Sequence, residues 1–493
     1  MELIQHSDER SDCDLGDDPS RLEWDLLAWE DSIESERERL DAIKDRLAKI
    51  EERIDAIKED SPSLRSSLRT IFSWRNYSVY LATAWIFTAF SYMGLFFNLY
   101  LRALEWEYVL IGSILSITSV ISATSRFIGG YVGDVSNRKH LSVVAMFMMA
   151  VYNLIMGISQ EFTWIIIALL FFSTMDIFKG GSTAFIMDNI PKKHSGLGIS
   201  LFTAGRVFGI VTLGVFVILT SYFDFDQSVR LMYLTGGIFL VGGTIVRAVL
   251  LEGKPPDVKR EGVSLVRSFI QENKRAVKLL FKVVPGMIAI VVLDAISDSL
   301  FQFGAYIYIF EEIKIQIPGI ILMSIITIVV SVPMVLGTGR LSDRRGERKT
   351  ALMIYSLMPI CAALLLIAPM FPYWVPASLV IQADSLFSGL GAVFSTPFLA
   401  IVLKAVNDAV WFLLLLTIIQ KNLPRRDTSK ILSVFWFIVY VLASIGPSIG
   451  GIVFEYFYQG HLFVVVLLLN LIILGWIAKQ GIVKNNNNDE SAL

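Results

Sequence analysis

The sequence is short of charge. Only 18% of its 493 residues are Asp, Glu, Lys or Arg, against 54% hydrophobic, whereas soluble domains carry about 25% charged residues. So few charges cannot clothe water-facing domains, which excludes a string of soluble domains. Cysteine is scarcer still. Cys13 and Cys361 are the two in the chain, too few for a disulfide framework or a zinc site. The four histidines, His6, His140, His194 and His461, are far apart; neither a metal nor another cofactor is expected. The chain has no Gly-x-x-x-x-Gly-Lys-Ser/Thr loop and no His-Glu-x-x-His pair, so neither ATP-driven work by this chain nor zinc-peptidase chemistry is expected. It does not read as an enzyme. The bases form no continuous stripe, which argues against a nucleic-acid partner. The opening MELIQHSDERSDCDLGDD contains no apolar core of a secretory signal.

What is abundant is apolar bulk. Thirty-three Phe and ten Trp rule out disorder for most of the chain. A membrane-spanning helix needs about 20 mainly apolar residues. Twelve such stretches lie near 77–101, 108–132, 141–159, 162–187, 196–222, 231–251, 284–310, 316–338, 350–371, 397–420, 431–454 and 462–478. Helices satisfy their own backbone in lipid, and no strand-like alternation is sustained. The stretch 372–396 is expected to be an external loop or re-entrant hairpin, the rival being a crossing at 374–400. The expected fold is therefore an all-α membrane protein with twelve transmembrane helices in two six-helix halves, preceded by a cytoplasmic coiled-coil helix.

Charge sets the orientation. Alternate loops and the tail hold 23 Lys and Arg, while the opposite side holds Arg102, Arg230 and Lys314. By the positive-inside rule both termini are cytoplasmic, in a multi-pass protein of the cell membrane. Residues 1–70 carry a net charge of −10 and the remainder +8. The expected organisation is an acidic head (1–70), a first half (71–251), a basic linker (252–283), a second half (284–480) and a polar tail (481–493). Within the head, Leu22, Leu26, Trp29, Ile33, Leu40, Ile43, Leu47, Ile50, Ile54 and Ile57 follow heptad spacing. This predicts self-association or a cytosolic partner through residues 22–57; an amphipathic helix folded back on its own body is the simpler alternative.

The loops after spans 2 and 8 repeat one another. Gly130 stands four residues before Asp134, followed by Arg138 and Lys139; Gly339 stands four before Asp343, followed by Arg344, Gly346 and Arg348. The spacing puts Gly and Asp on one helix face, where Gly allows close helix approach. Asn189-Ile-Pro191 after span 4 and Asn422-Leu-Pro424 after span 10 give the halves matching punctuation. With twelve spans and a long basic middle loop, residues 71–480 resemble the major facilitator superfamily, whose loop 2–3 motif reads Gly-x-x-x-Asp-Arg/Lys-x-Gly-Arg/Lys-Arg/Lys. The second copy is the closer match, with Glu347 at a usually basic position. The first has Val135 where a base and Asn137 where Gly is expected. The resemblance implies substrate binding between the halves and alternating access by rocking. It also implies that Asp134 and Asp343 act as charge pivots of the inner gate, with Arg138, Lys139, Arg344 and Arg348 as partners. In span 11, Gly446, Pro447, Gly450 and Gly451 resemble the family's Gly-Pro-x-x-Gly-Gly motif, which its antiporters carry in span 5. Span 5 here lacks that Pro, so these residues read first as a helix kink and packing site.

Ionisable residues inside spans are costly and suggest function. Asp294 and Asp298 share one face of span 7 with Gln302. Two carboxylates so close in low dielectric cannot both ionise cheaply, which suits them to handling a proton. Asp176 and Lys179 in span 4, Arg206 in span 5, and Lys404 and Asp408 in span 10 are candidates for substrate charge recognition or interdomain pairing, with Asp176 the expected counter-ion of Arg206. Arg126 and Arg247 lie near span ends and are expected to snorkel. The expected function is proton-driven transport of a small organic solute across the bilayer, as a metabolite symporter or alternatively a drug-efflux antiporter. A transport-inactive scaffold or sensor working through the coiled coil is the rival of another class.

Overall fold

The computed structural model describes residues 39–40, 42–47, 64–190, 195–253, 273–275, 277–278, 281, 285–330, 347–422 and 428–480. The chain divides into two units, Met1–Thr70 and Ile71–Leu493. In the first, residues 39–40 and 42–47 are helical, and Leu40, Ile43 and Leu47 of the heptad series are exposed. The rest of the expected coiled coil lies outside the described residues.

From Leu64 onward the described residues are built into helices. In chain order they are α1 (Leu64–Ser73), α2 (Arg75–Ser91), α3 (Phe97–Ala103), α4 (Tyr108–Val135), α5 (Arg138–Ile158), α6 (Phe162–Asp188), α7 (Ser195–Ala204), α8 (Val207–Leu219) and α9 (Phe225–Leu250). There follow α10 (Pro285–Glu311), α11 (Ile317–Val330), α12 (Glu347–Tyr355), α13 (Leu357–Ile367), α14 (Ala377–Leu386), α15 (Thr396–Asn422), α16 (Thr428–Ala443), α17 (Ile445–Tyr456) and α18 (Gly460–Gln480). Among the described residues, ten stretches are long and apolar enough to cross a membrane. The other two expected crossings correspond to α11, described only as far as Val330, and to α15. At 27 residues, α15 is about 40 Å long.

Local chemistry explains the breaks. Proline cannot donate to the carbonyl four residues back. Accordingly α12 stops at Tyr355, four before Pro359, and α16 stops at Ala443, four before Pro447. Pro285 and Pro397 instead sit in first turns, where no intrahelical donor is needed. The stretch before α15 is α14 followed by a short 3-10 turn, Leu390–Phe394. Ser395 then caps α15, accepting from the Phe398 amide at 3.2 Å. The helix therefore starts at Thr396, and the rival register of 374–400 is not adopted.

Packing in the bundle is not sequential. Next to α4 lie α6 of the first half and both α16 and α17 of the second. Helix α10 contacts α16, α17, α18 and α3. Rings of Tyr77, Tyr100, Tyr233, Tyr308 and Tyr355 are fully buried, while Ile117, Ile158, Ile238, Val249 and Ile472 are among the large apolar side chains left exposed, as lipid-facing positions would be.

Candidate functional site

The second half contains two neighbouring polar groups between α10, α12, α15 and α18. Lys404 is 5% exposed and its ammonium lies between the carboxylates of Asp298 and Asp408, bonded to both. It also lies 5.4 Å from the Phe301 ring centroid. The second oxygen of Asp298 accepts from Gln302 at 2.7 Å. One turn earlier, Asp294 accepts from the Trp411 indole at 2.8 Å, and its other oxygen is 2.9 Å from the Tyr355 hydroxyl. That hydroxyl is also 2.7 Å from the side-chain oxygen of Asn470. The Asn470 amide nitrogen is anchored on the Val466 carbonyl at 2.7 Å and on Ser297 at 2.8 Å. Asp298, Gln302, Lys404 and Asp408 are thus brought together, with Asp294 one turn away on the same helix. Tyr355, Trp411 and Asn470 gather around Asp294, and nothing in the apolar runs that carry them marks them out.

The first half departs from expectation. Asp176, 4% exposed, is bonded to Arg126 at 2.7 Å, so its counter-ion is Arg126 and not Arg206. The reason is packing: α4 lies directly on α6 because a Cβ at Gly133 would stand only 3.3 Å from Gly181, which leaves room for no side chain between them. The Arg126 guanidinium carbon is 5.1 Å from the Tyr440 ring centroid on α16, across the two halves. Arg247 also turns inward. It is 3% exposed, donating from Nε to Thr83 at 2.8 Å and from Nη1 to the Ser142 carbonyl and hydroxyl at 3.0 Å. Lys179 lies 5.7 Å from the Phe87 ring centroid. A cavity of about 460 Å³ opens beside Lys179, Arg206 and Arg247.

The halves meet along α4 and α16–α17. At one end the Phe127 and Phe437 rings stack with centroids 4.6 Å apart. Further along, Ser448 bonds to Ser116 at 2.7 Å. Beyond this, the added Cβ at Gly451 would fall 2.4 Å from the Tyr108 carbonyl oxygen. The Gly446–Gly451 segment is thus a helix break and also the tightest part of a seam between halves. At the end away from the basic loops, Glu311 gathers Arg102 at 3.0 Å, Gln459 at 2.8 Å and the Tyr108 hydroxyl. Glu455 takes the Tyr108 amide at 2.9 Å. Sequence reasoning missed this cluster because its members are single polar residues at span ends.

Of the first loop motif, Asn137 caps α5 by accepting from the Lys139 amide at 3.0 Å. Arg138 pairs with Asp188 at the end of α6. Gly130 faces Ser433 on α16. Of the second copy, Gly339, Asp343, Arg344 and Gly346 lie outside the described residues, while Arg348 donates to the Ala478 carbonyl.

Residues 79–447 match the family described as Major Facilitator Superfamily. No curated protein matches the sequence. Among solved structures, the chain is similar to the nucleoside transporter NupG, with TM-score 0.58, 12% identity, and coverage of 82% of this chain and 97% of that one. A POT family transporter in complex with 5-aminolevulinic acid gives 0.59 at 12% identity, covering 81% and 95%. A D-xylose–proton symporter gives 0.55 at 14% identity, covering 83% and 98%.

Proposed function

The chain belongs to the major facilitator superfamily, and we propose that it is a proton-coupled secondary active transporter of a small organic solute, working by alternating access. It is a multi-pass membrane protein of a transporter family and not an enzyme. We extend its ten apolar spans to twelve by adding α11, continued through the residues after Val330, and α15. With the basic loops inside, both termini are then cytoplasmic and the Glu311 cluster closes the external end. The acidic head is free to self-associate or to hold a cytosolic partner through residues 22–57.

The observation that carries proton coupling is a donor count around Asp294. The Asn470 nitrogen is fixed by the Val466 carbonyl, which can only accept, so the Asn470 oxygen is itself only an acceptor. Tyr355 owns one hydroxyl proton but lies within hydrogen-bond distance of two oxygens, on Asn470 and Asp294. Both contacts are satisfied when Asp294 holds a proton and donates it to Tyr355, which donates onward to Asn470. Ionised Asp294 would leave one oxygen pair unbonded in a buried place, an expensive arrangement. Asp294 is therefore the residue that carries the proton. Asp298 is its relay toward the solute, because it shares Lys404 with Asp408 and is partly exposed. The similarity to a D-xylose–proton symporter agrees with this reading, as does the mixture of acids and bases with a symporter of a charged metabolite.

The test is lumenal pH in proteoliposomes holding the purified protein while solutes are added outside. A solute-triggered proton movement that vanishes in Asp294→Asn, with solute exchange retained, is expected. Solute flux with no proton movement would remove Asp294 and Asp298 from coupling and leave them as structural groups.

A further inference from the structure

We infer that α14 and the turns flanking it lie in the lipid leaflet at the end away from the basic loops, with their apolar side chains at the boundary of headgroups and acyl chains. This placement needs a chain that spans the membrane, and neither the proton nor the solute of the reading above. The connection from Ile367, at the end of α13, to Thr396, at the start of α15, is poor in charge. Asp384 is the one charged residue between Lys349 and Lys404. Other connections at that end carry Glu105 and Glu107, Glu161, Asp224, and Glu312 with Lys314. Asp384 is engaged within its own connection, where it accepts from the Gly391 amide at 2.8 Å.

In place of charge the connection presents apolar bulk. Phe371, Trp374, Leu379, Ile381, Leu386 and Phe387 are each between 48% and 79% exposed. The backbone that carries them is fixed. At its neck the Thr396 amide donates to the Pro372 carbonyl at 2.9 Å and the Trp374 amide to the Phe394 carbonyl at 3.1 Å. Val380 and Ala383 are buried, and a Cβ at Gly391 would stand 2.7 Å from Val380 Cγ1, so the turn Leu390–Phe394 lies directly on α14. Gly389 has φ +87°, and a Cβ there would be 2.5 Å from the Gly319 amide nitrogen, which seats the hairpin on α11. The exposed side chains therefore have no interior left to enter.

The neck adjoins the end of the Arg348–Ile367 span, which sets α14 at the level of the membrane boundary. Its 10 residues make a helix of about 15 Å, half of what a crossing needs. Ser378, Gln382 and Ser385 form a polar strip beside the apolar strip of Leu379 and Leu386, so a helix lying flat can put one strip in lipid and the other in water. Trp374 is an amphipathic ring of the type that settles at headgroup level. The apolar surface also continues into the spans, where Ile360 and Ile367 on α13 and Leu399 on α15 are exposed. Lipid covers those positions, and it covers α14 with them. With no Lys or Arg in the connection, apolar contact and not headgroup charge holds it there.

The test uses Ile381→Cys and Leu386→Cys, each in a Cys13→Ser background that leaves only the buried Cys361. Each is labelled with a nitrobenzoxadiazole maleimide and reconstituted as the full chain in proteoliposomes. Glu161→Cys, exposed in a charged connection at the same end, is the aqueous control. Lipids carrying nitroxides at two depths are expected to quench the labels at both α14 positions and to place them about 5–10 Å below the headgroups. Aqueous iodide is expected to quench the Glu161→Cys label instead. Iodide quenching on α14 as strong as in the control, without nitroxide quenching, would overturn the inference. So would cross-linking of Leu386→Cys between copies by a bismaleimide with the lipid quencher excluded, which would make a second copy of this chain the occupant.

Discussion

Gly451→Ala should prise open the seam between the halves at the end that carries Glu311. The new Cβ would stand 2.4 Å from the Tyr108 carbonyl oxygen, 3.1 Å from the Tyr108 carbonyl carbon and 3.1 Å from the Val109 Cα. All three are backbone atoms, so no rotamer change relieves the clash. Heavy-atom contact needs about 3.5 Å, and the seam must widen by roughly 1 Å. Overpacking of this kind costs about 1–3 kcal/mol. Alanine also gains about 0.8–1.0 kcal/mol of helix propensity over glycine, but α17 is helical whether the seam is closed or open, so that gain cancels. What remains is the clash, borne by the closed state alone, which shifts the closed-to-open ratio by about 5–150-fold. The readout is Ser448→Cys, whose parent hydroxyl is 2.7 Å from Ser116 inside the seam, labelled from outside by a membrane-impermeant thiol reagent. Labelling in the Gly451→Ala background should be at least about fivefold faster. Gly214→Ala is the control, because its Cβ meets nothing within 4 Å. Equal labelling of the two in folded protein would refute the claim that this seam is a gate.

Gly112→Ala should act in the same direction, since its Cβ would fall 2.2 Å from the Pro447 carbonyl oxygen; the same labelling assay reports it. Arg126→Gln strands Asp176, whose Oδ1 is already buried without a partner. It should cost about 3 kcal/mol, the low end for a broken buried pair because Arg126 is half exposed, read as a fall in melting temperature that the double variant with Asp176→Asn largely restores. Tyr355→Phe removes the hydroxyl that lies within hydrogen-bond distance of both Asn470 and Asp294. It should cost about 1–3 kcal/mol and slow solute-driven proton movement in proteoliposomes. Cys361 is fully buried and should resist maleimide until the protein is denatured.

Helix positions were legible because apolar runs and prolines act locally. Pro359 and Pro447 fix their own breaks four residues upstream, whatever packs around them. The in-span acids and bases could also be named, because any charge stands out against such a background. What the chain order hides is pairing. Span 5 follows span 4, which made Arg206 the natural counter-ion for Asp176, yet the bundle lays α4 on α6 and hands that role to Arg126. A signal for this existed. Gly129 and Gly133 on α4, with Gly180 and Gly181 on α6, are small faces seeking each other. No comparable signal marked Tyr355, Trp411 and Asn470, because an aromatic or amide in an apolar run is common and its partner is chosen by tertiary packing.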